Sequence, residues 1–90
     1  MDPKNRRKLL MIKEVDILID ELVNNKEKYF DKNLVLNSEG RKLFSRIAKI
    51  LMVLYPELRR TLSNYRSTPT FEGINKLVER LNEMKMSRIE

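Results

Sequence analysis

Three basic side chains in the middle of the chain have the spacing of a binding surface. Lys42, Arg46 and Lys49 follow one another at i, i+4 and i+7, so on a helix they share one face. Like charges at this spacing repel each other, and a helix gains no stability from them. Lysine and arginine do neutralise phosphates, and they release the counterions that surround a polyanion. The pattern therefore predicts a surface for an anionic partner.

The charges on either side of these residues favour the same interpretation. Between Gly40 and Phe71 the sequence has seven basic residues and one acidic residue, Glu57. Arginine can direct two donors at one phosphate group. The alternative is that the charges only solvate a surface helix, with the acidic first helix lying alongside. The residues that we predict to contact phosphate in this segment are Arg41, Lys42, Arg46, Lys49, Arg59, Arg60 and Arg66.

The first eight residues form a second basic segment, which we predict to be an N-terminal arm. Its basic residues lie at or before the start of the first predicted helix, where the helix dipole disfavours positive charge. Contact with phosphate would account for them, and the alternative is a basic terminus without a partner. The residues concerned are Lys4, Arg6, Arg7 and Lys8.

Other residue types that could do chemistry are few. The chain has no Cys and no His, which removes thiol and imidazole catalysts and zinc sites with sulfur or nitrogen ligands. Asp16 and Asp20 are one helical turn apart, but a magnesium site needs further oxygen ligands that the sequence does not supply. Neither Gly40 nor Gly73 belongs to a glycine-rich phosphate loop. We therefore expect no enzyme, no catalytic residue, no metal and no cofactor.

The periodicity of the apolar residues predicts the helices that carry these side chains. We expect four, at about residues 5–28, 38–55, 56–65 and 70–87. The second is apolar nearly all round between Ile50 and Tyr55, which is typical of a central, mostly buried helix. Ninety residues are enough for one domain, residues 1–90. The predicted fold is all-α, a small bundle of three to four helices.

Pro56 decides whether the middle of the chain is one helix or two. In a helix interior proline removes one backbone hydrogen bond and collides with the carbonyl four residues earlier, at a cost of about 3 kcal/mol. In the first turn of a new helix it costs little, and Glu57 beside it suits a helix start. We predict a break at Pro56. A kink is the alternative, and it would let Arg60 continue the row of Lys42, Arg46 and Lys49.

The segments between the predicted helices carry capping residues. Asn37 or Ser38 is expected to cap the second helix, and Thr68 or Thr70 the last one. Residues 29–37 interrupt the helical pattern, and we predict a loop whose apolar residues cover the open end of the bundle.

Two apolar residues fall on or beside the basic side of the second predicted helix. Met52 and Val53 are candidates for a protein interface, where methionine and arginine are both enriched. The alternative is burial under the loop at 29–37, and burial is the more frequent fate of an additional apolar residue.

The sequence has no apolar run long enough for a membrane-spanning helix or a signal peptide, and this predicts the cellular compartment. The longest apolar run, Ile50 to Tyr55, is about a third of the roughly 20 residues that a membrane-spanning helix needs. The basic residues near the N-terminus are not followed by an apolar run long enough for a signal peptide. These features favour a cytoplasmic protein without a membrane partner.

The net charge of +6 and its concentration between residues 32 and 66 lead to a functional hypothesis. We expect a non-enzymatic, nucleic-acid-associated protein, with DNA favoured over RNA, that contacts the phosphate backbone as a small accessory subunit of a replication or transcription complex. The alternative is a regulator, inhibitor or immunity-type helical bundle that binds an acidic protein surface. Both hypotheses are compatible with a homodimer.

Overall fold

Capping and helix-breaking residues set the boundaries of the helices in this chain. A computed structural model describes the backbone of residues 3–67 and 69–89 and the side chains of residues 6–67 and 69–84. Its helices are α1 (Pro3–Asn24), α2 (Lys26–Tyr29), α3 (Ser38–Leu54), α4 (Arg59–Ser67) and α5 (Phe71–Ile89), with one 3-10 turn (Pro56–Leu58) between α3 and α4. The fold is all-α, as predicted. None of the described helices is long and apolar enough to cross a membrane.

The first helix differs from its prediction at both ends. It begins at Pro3, a residue whose fixed backbone angle suits a first helical turn. The predicted arm at residues 1–8 is therefore largely the first turns of α1. At the other end the helix stops at Asn24, because Asn25 leaves the helical region with φ −119° and ψ 51°, and its side-chain nitrogen donates to the Glu21 carbonyl at 2.9 Å. Asparagine favours such local bonds over a continued helix, and the chain resumes as the short helix α2.

The middle of the chain breaks at Pro56. Tyr55 has φ −135° and ψ 75°, outside the helical region, as expected for the residue before a proline. Leu58 then donates its amide to the Tyr55 carbonyl at 2.9 Å, and α4 begins at Arg59. The predicted break is confirmed, and the kinked alternative is wrong. Leu58 is fully buried, which explains why the apolar pattern continues past the break.

The core lies between α3 and the helices around it. α1 packs along one side of α3, and α4 folds back across another side, where the rings of Phe44 and Tyr65 lie 4.5 Å apart. Leucine, isoleucine and valine side chains from four helices fill the space between them. Buried members of this cluster include Val15, Ile19, Leu22, Leu43, Ile47, Leu51, Leu62, Ile74, Leu77 and Leu81.

The loop after α2 covers one end of the bundle, as predicted, although Leu34 in this loop is 39% exposed. Phe30 and Leu36 are buried and form an isolated β-bridge with each other. The loop is also held to the segment before α5, since the Leu36 amide donates to the Pro69 carbonyl at 2.9 Å. Asn37 then caps α3 by accepting the Gly40 amide at 2.8 Å.

The last helix begins at the second of its two candidate caps. Thr70 Oγ1 accepts the Gly73 amide at 3.0 Å, and α5 follows from Phe71. Thr68, the other candidate, lies outside the described residues.

Candidate nucleic-acid interface

The row of basic residues on α3 faces solvent, as predicted. Leu43, Ile47 and Leu51 turn the opposite face of the helix into the core, so the side chains between them must point outward. Lys42, Arg46 and Lys49 are all exposed. The row therefore lies on the outer face of α3, available to a partner.

Two members of this row have carboxylate neighbours. Lys42 Nζ lies 3.5 Å from Glu39 Oε1, and Arg46 Nη2 lies 3.9 Å from Glu14 Oε1 of α1. All four side chains are more than half exposed, and such surface pairs contribute roughly 0–1 kcal/mol and are screened by salt. For Arg46 the structure therefore matches the alternative hypothesis, in which the acidic helix α1 lies alongside the basic residues of α3. Neither pair removes the charge from reach of a stronger anion.

The other five predicted contacts on α3 and α4 are exposed, and the described ion pairs, Lys42–Glu39, Arg46–Glu14 and Lys76–Glu72, do not include them. They are Arg41, Lys49, Arg59, Arg60 and Arg66. Like charges that cluster on one surface destabilise a fold slightly by repulsion. It also leaves a positive potential that an anionic partner would neutralise.

The break at Pro56 places three of the basic residues on a second helix, α4. Arg59 and Arg66 are seven residues apart and share a face of α4. Arg60 lies about 100° around the helix from Arg59. Because the helix breaks at Pro56, Arg60 does not continue the row on α3. The three arginines therefore flank the α3 row from a second helix.

The return of α4 across α3 brings Arg41 and Arg66 to one depression. This depression has a volume of about 290 Å³ and is lined by Leu36, Arg41, Phe44, Ser45, Arg66 and Pro69. Arg41 lies in the first turns of α3, and Arg66 lies in the last turn of α4. The Phe44–Tyr65 ring contact holds these two helix ends together.

The basic residues near the N-terminus lie on a helix that runs antiparallel to α3. The Asn37 side chain donates to the Lys28 carbonyl at 2.9 Å, which keeps the start of α3 close to the end of the α1–α2 segment. The Glu14–Arg46 pair joins the middles of the two helices. Arg6, Arg7 and Lys8 are exposed on the N-terminal turns of α1, toward the C-terminal end of α3. The side chain of Lys4 lies outside the described residues.

Met52 and Val53 are exposed, so the burial expected for them is wrong. Their exposed fractions are 39% and 66%. The loop that was expected to cover them lies at the opposite end of α3, where Val35 forms a bridge with Thr70. Both residues therefore add apolar surface to the basic side of α3.

The three tyrosines have a role in packing. Tyr29, Tyr55 and Tyr65 are buried, so they are core residues and not platforms for stacked bases. Burial raises the pKa of the Tyr65 hydroxyl, which donates to the Thr70 carbonyl at 3.0 Å.

The acidic side chains of α1 do not form a metal site. Asp16 and Asp20 line a depression between α1 and α5, on a different side of α1 from Glu14. Within the described part of the chain, no group of three or more acidic side chains could hold a metal ion.

Sequence reasoning missed two features of this surface. Ser45 is four residues after Arg41 and lines the same depression, a relationship that the helical spacing could have revealed. Leu10 and Ile17 are 59% and 67% exposed on α1, and neither residue was singled out from the sequence.

Comparisons with known proteins do not assign this surface a role. No protein-family model matches the chain, and no curated protein or solved structure is significantly similar to it.

Proposed function

We propose that this protein binds the phosphate backbone of nucleic acid, without catalysis, through the outer faces of α3 and α4. One observation carries the proposal: the seven cations on these helices are all exposed, and the ion pairs described for them join only Lys42 and Arg46 to exposed carboxylates, at 3.5 and 3.9 Å. A polyanion would neutralise all seven and release its counterions. Arg6, Arg7 and Lys8 on α1 would extend the contact beyond the C-terminal end of α3.

The contact is expected to be independent of base sequence. A helix-turn-helix protein joins its two helices with a short turn that often contains glycine, whereas α3 and α4 are joined by a 3-10 turn that starts with Pro56. Phosphate contacts fix position and orientation but read no sequence. This behaviour suits a small accessory subunit of a replication or transcription complex in the cytoplasm, with DNA favoured over RNA.

Salt dependence tests the proposal directly. Fluorescence anisotropy with labelled duplex and single-stranded DNA of arbitrary sequence should show binding at low salt. The logarithm of the association constant should fall by roughly 4 units per decade of salt if about five phosphates are contacted. Absence of binding at low salt would contradict the proposal.

A matched pair of variants locates the contact. Replacing Lys42, Arg46 and Lys49 with Gln should weaken binding strongly and reduce the salt slope by about 3 on duplex DNA. The control replaces Lys13, Lys76 and Arg80 with Gln, which removes the same charge from exposed positions on α1 and α5. Equal losses in the two variants would show that net charge alone, and not the α3 face, attracts the nucleic acid.

A protein partner is the second candidate, and the exposure of Met52 and Val53 favours it. Apolar side chains among arginines are typical of protein interfaces, and the surrounding charge would steer an acidic partner into place. Replacing Met52 and Val53 with Ser should leave DNA binding unchanged if phosphate is the ligand. Failure to bind DNA, together with recovery of one protein by the wild type and not by this variant, would favour the second candidate.

A further inference from the structure

The depression between α3 and α4 has a composition that sets it apart from the other described depressions. Two arginines and one hydroxyl line it, and none of its lining residues is acidic. The depression between α4 and α5 includes Glu72, the one between α1 and α5 includes Asp16 and Asp20, and the one around α2 includes Glu27. Among these four depressions, only the one between α3 and α4 has basic lining residues without an acidic one, so it is the one suited to an anion.

From this composition we infer that the depression bounded by Arg41 and Arg66 is a binding site for one phosphate group of a nucleic-acid strand. The inference rests on the proposed function and names the place where the strand is held most tightly. The two guanidinium groups come from different helices, so they can approach one phosphate from two directions. Each can direct a pair of N–H donors at phosphate oxygens, and the Ser45 hydroxyl is a further donor.

The walls of this site are held in place before any ligand binds. The Leu36 amide donates to the Pro69 carbonyl at 2.9 Å, which fixes the two loop residues that line the depression. Phe44 packs on Tyr65, and the Tyr65 hydroxyl donates to the Thr70 carbonyl at 3.0 Å. A preformed site loses little conformational freedom on binding, so more of the interaction energy appears as affinity.

The floor of the site is apolar, which strengthens the charge interaction above it. Leu36 and Phe44 are 3% and 4% exposed and belong to the core cluster. Charges that lie against such a surface are less screened by water than charges on an open helix. The half-buried Pro69 at the edge of the site also suits contact with the sugar next to a phosphate. A nucleic-acid strand supplies both groups together.

The first test detects the phosphate site without nucleic acid. Isotope-labelled full-length protein is titrated with inorganic phosphate and followed by NMR. The Nε–Hε signals of Arg41 and Arg66 and the amide of Ser45 should shift together and saturate, while those of Arg59 and Arg60 should move little. Equal shifts at all four arginines, or no shifts, would overturn the site.

The second test separates the geometry of the site from its charge. The double variant Arg41→Lys, Arg66→Lys keeps both charges but loses the paired donors, and it should bind single-stranded DNA about tenfold more weakly than the wild type. The control, Lys13→Arg and Arg80→Lys, changes the same number of exposed side chains outside the proposed surface and should bind as tightly as the wild type. Thermal unfolding of all variants checks that the fold is retained.

The outcomes distinguish the site from the proposed function. Strand binding that is equal in the wild type and in the Arg41→Lys, Arg66→Lys variant would overturn the site and leave the proposed function standing. A localised response to inorganic phosphate without binding of any strand would overturn the nucleic acid as the source of the phosphate. Tighter binding of a phosphoserine peptide than of a DNA strand would do the same.

Discussion

Glu14 of α1 and Arg46 of α3 form an ion pair of 3.9 Å, although the two residues are 32 positions apart along the chain. Both side chains are more than half exposed, so the pair is screened by solvent and contributes little to stability. Its main effect is on the electrostatics of the outer face of α3, where Glu14 is the carboxylate of α1 that partly offsets the basic row. The same pair shows that α1 limits the positive surface on one side.

Replacing Glu14 with Gln should therefore strengthen nucleic-acid binding. The variant keeps the size of the side chain and removes a negative charge beside Arg46, so we expect affinity for DNA to rise about two- to threefold at low salt. The free energy of unfolding should change by less than about 0.5 kcal/mol. Anisotropy titrations and urea unfolding measure the two quantities. Asp20→Asn serves as the control because Asp20 lies on the α5 side of α1, and an equal gain there would indicate a non-local effect of net charge.

Gly40 should not tolerate a methyl group. A β-carbon at this position would collide with the backbone carbonyl oxygen of Tyr29 and lie 2.8 Å from Leu36 Cδ2. Alanine is normally favoured over glycine in a helix by about 1 kcal/mol, but the carbonyl belongs to backbone that also accepts the Asn37 amide at 2.9 Å. We expect Gly40→Ala to lower the free energy of unfolding by about 2–4 kcal/mol.

The control for this substitution is Gly73→Ala. At Gly73 an added β-carbon would meet the ring of Tyr65 at 2.8 Å and the Thr70 hydroxyl oxygen at 3.2 Å, which are side-chain atoms. Side chains shift at lower cost than backbone, so this variant should be the less destabilised of the two in urea unfolding. A smaller loss at Gly40 than at Gly73 would contradict the close backbone approach.

The cap of α3 should be worth more than an average surface hydrogen bond. Asn37 accepts the Gly40 amide at 2.8 Å, and its side-chain nitrogen donates to the Lys28 carbonyl at 2.9 Å. Asn37→Ala removes both bonds, and we expect a loss of about 1–2 kcal/mol in the free energy of unfolding. Ser38→Ala, at the exposed neighbouring position, should change stability by less than about 0.5 kcal/mol. Similar losses in the two variants would show that Asn37 is not the cap.

Tyr65 should make stability fall at alkaline pH. Burial raises the pKa of its hydroxyl in the folded state above the ordinary value of 10.0, so the unfolded chain loses this proton first. Below pH 10 the group then favours the folded state fully. Above pH 10 its contribution declines by up to about 1.4 kcal/mol per pH unit, until the folded state also loses the proton.

Tyr65→Phe tests this dependence. The variant loses the hydrogen bond to the Thr70 carbonyl, so we expect it to be about 1 kcal/mol less stable near pH 7. Its stability should fall less steeply between pH 10 and 11 than that of the wild type, as measured by urea unfolding at each pH. Parallel curves for the two proteins across that range would contradict the raised pKa.

The sequence by itself determined the features that depend on neighbouring residues. The break at Pro56, the outward row on α3 and the narrowing of each cap to two candidates all follow from interactions within a few positions along the chain. The candidate caps are Asn37 or Ser38 and Thr68 or Thr70. The periodicity of Leu43, Ile47 and Leu51 places one face of the helix in the core. Local geometry therefore specifies which face of each helix is polar.

Only the tertiary structure decided which of these faces meet. Arg41 and Arg66 are brought to one depression by the angle at which α4 returns across α3, and Glu14 reaches Arg46 because α1 packs antiparallel to α3. Val53 is exposed because the loop closes the other end of the bundle. These outcomes depend on side-chain packing between segments that are far apart in sequence, which local spacing does not encode.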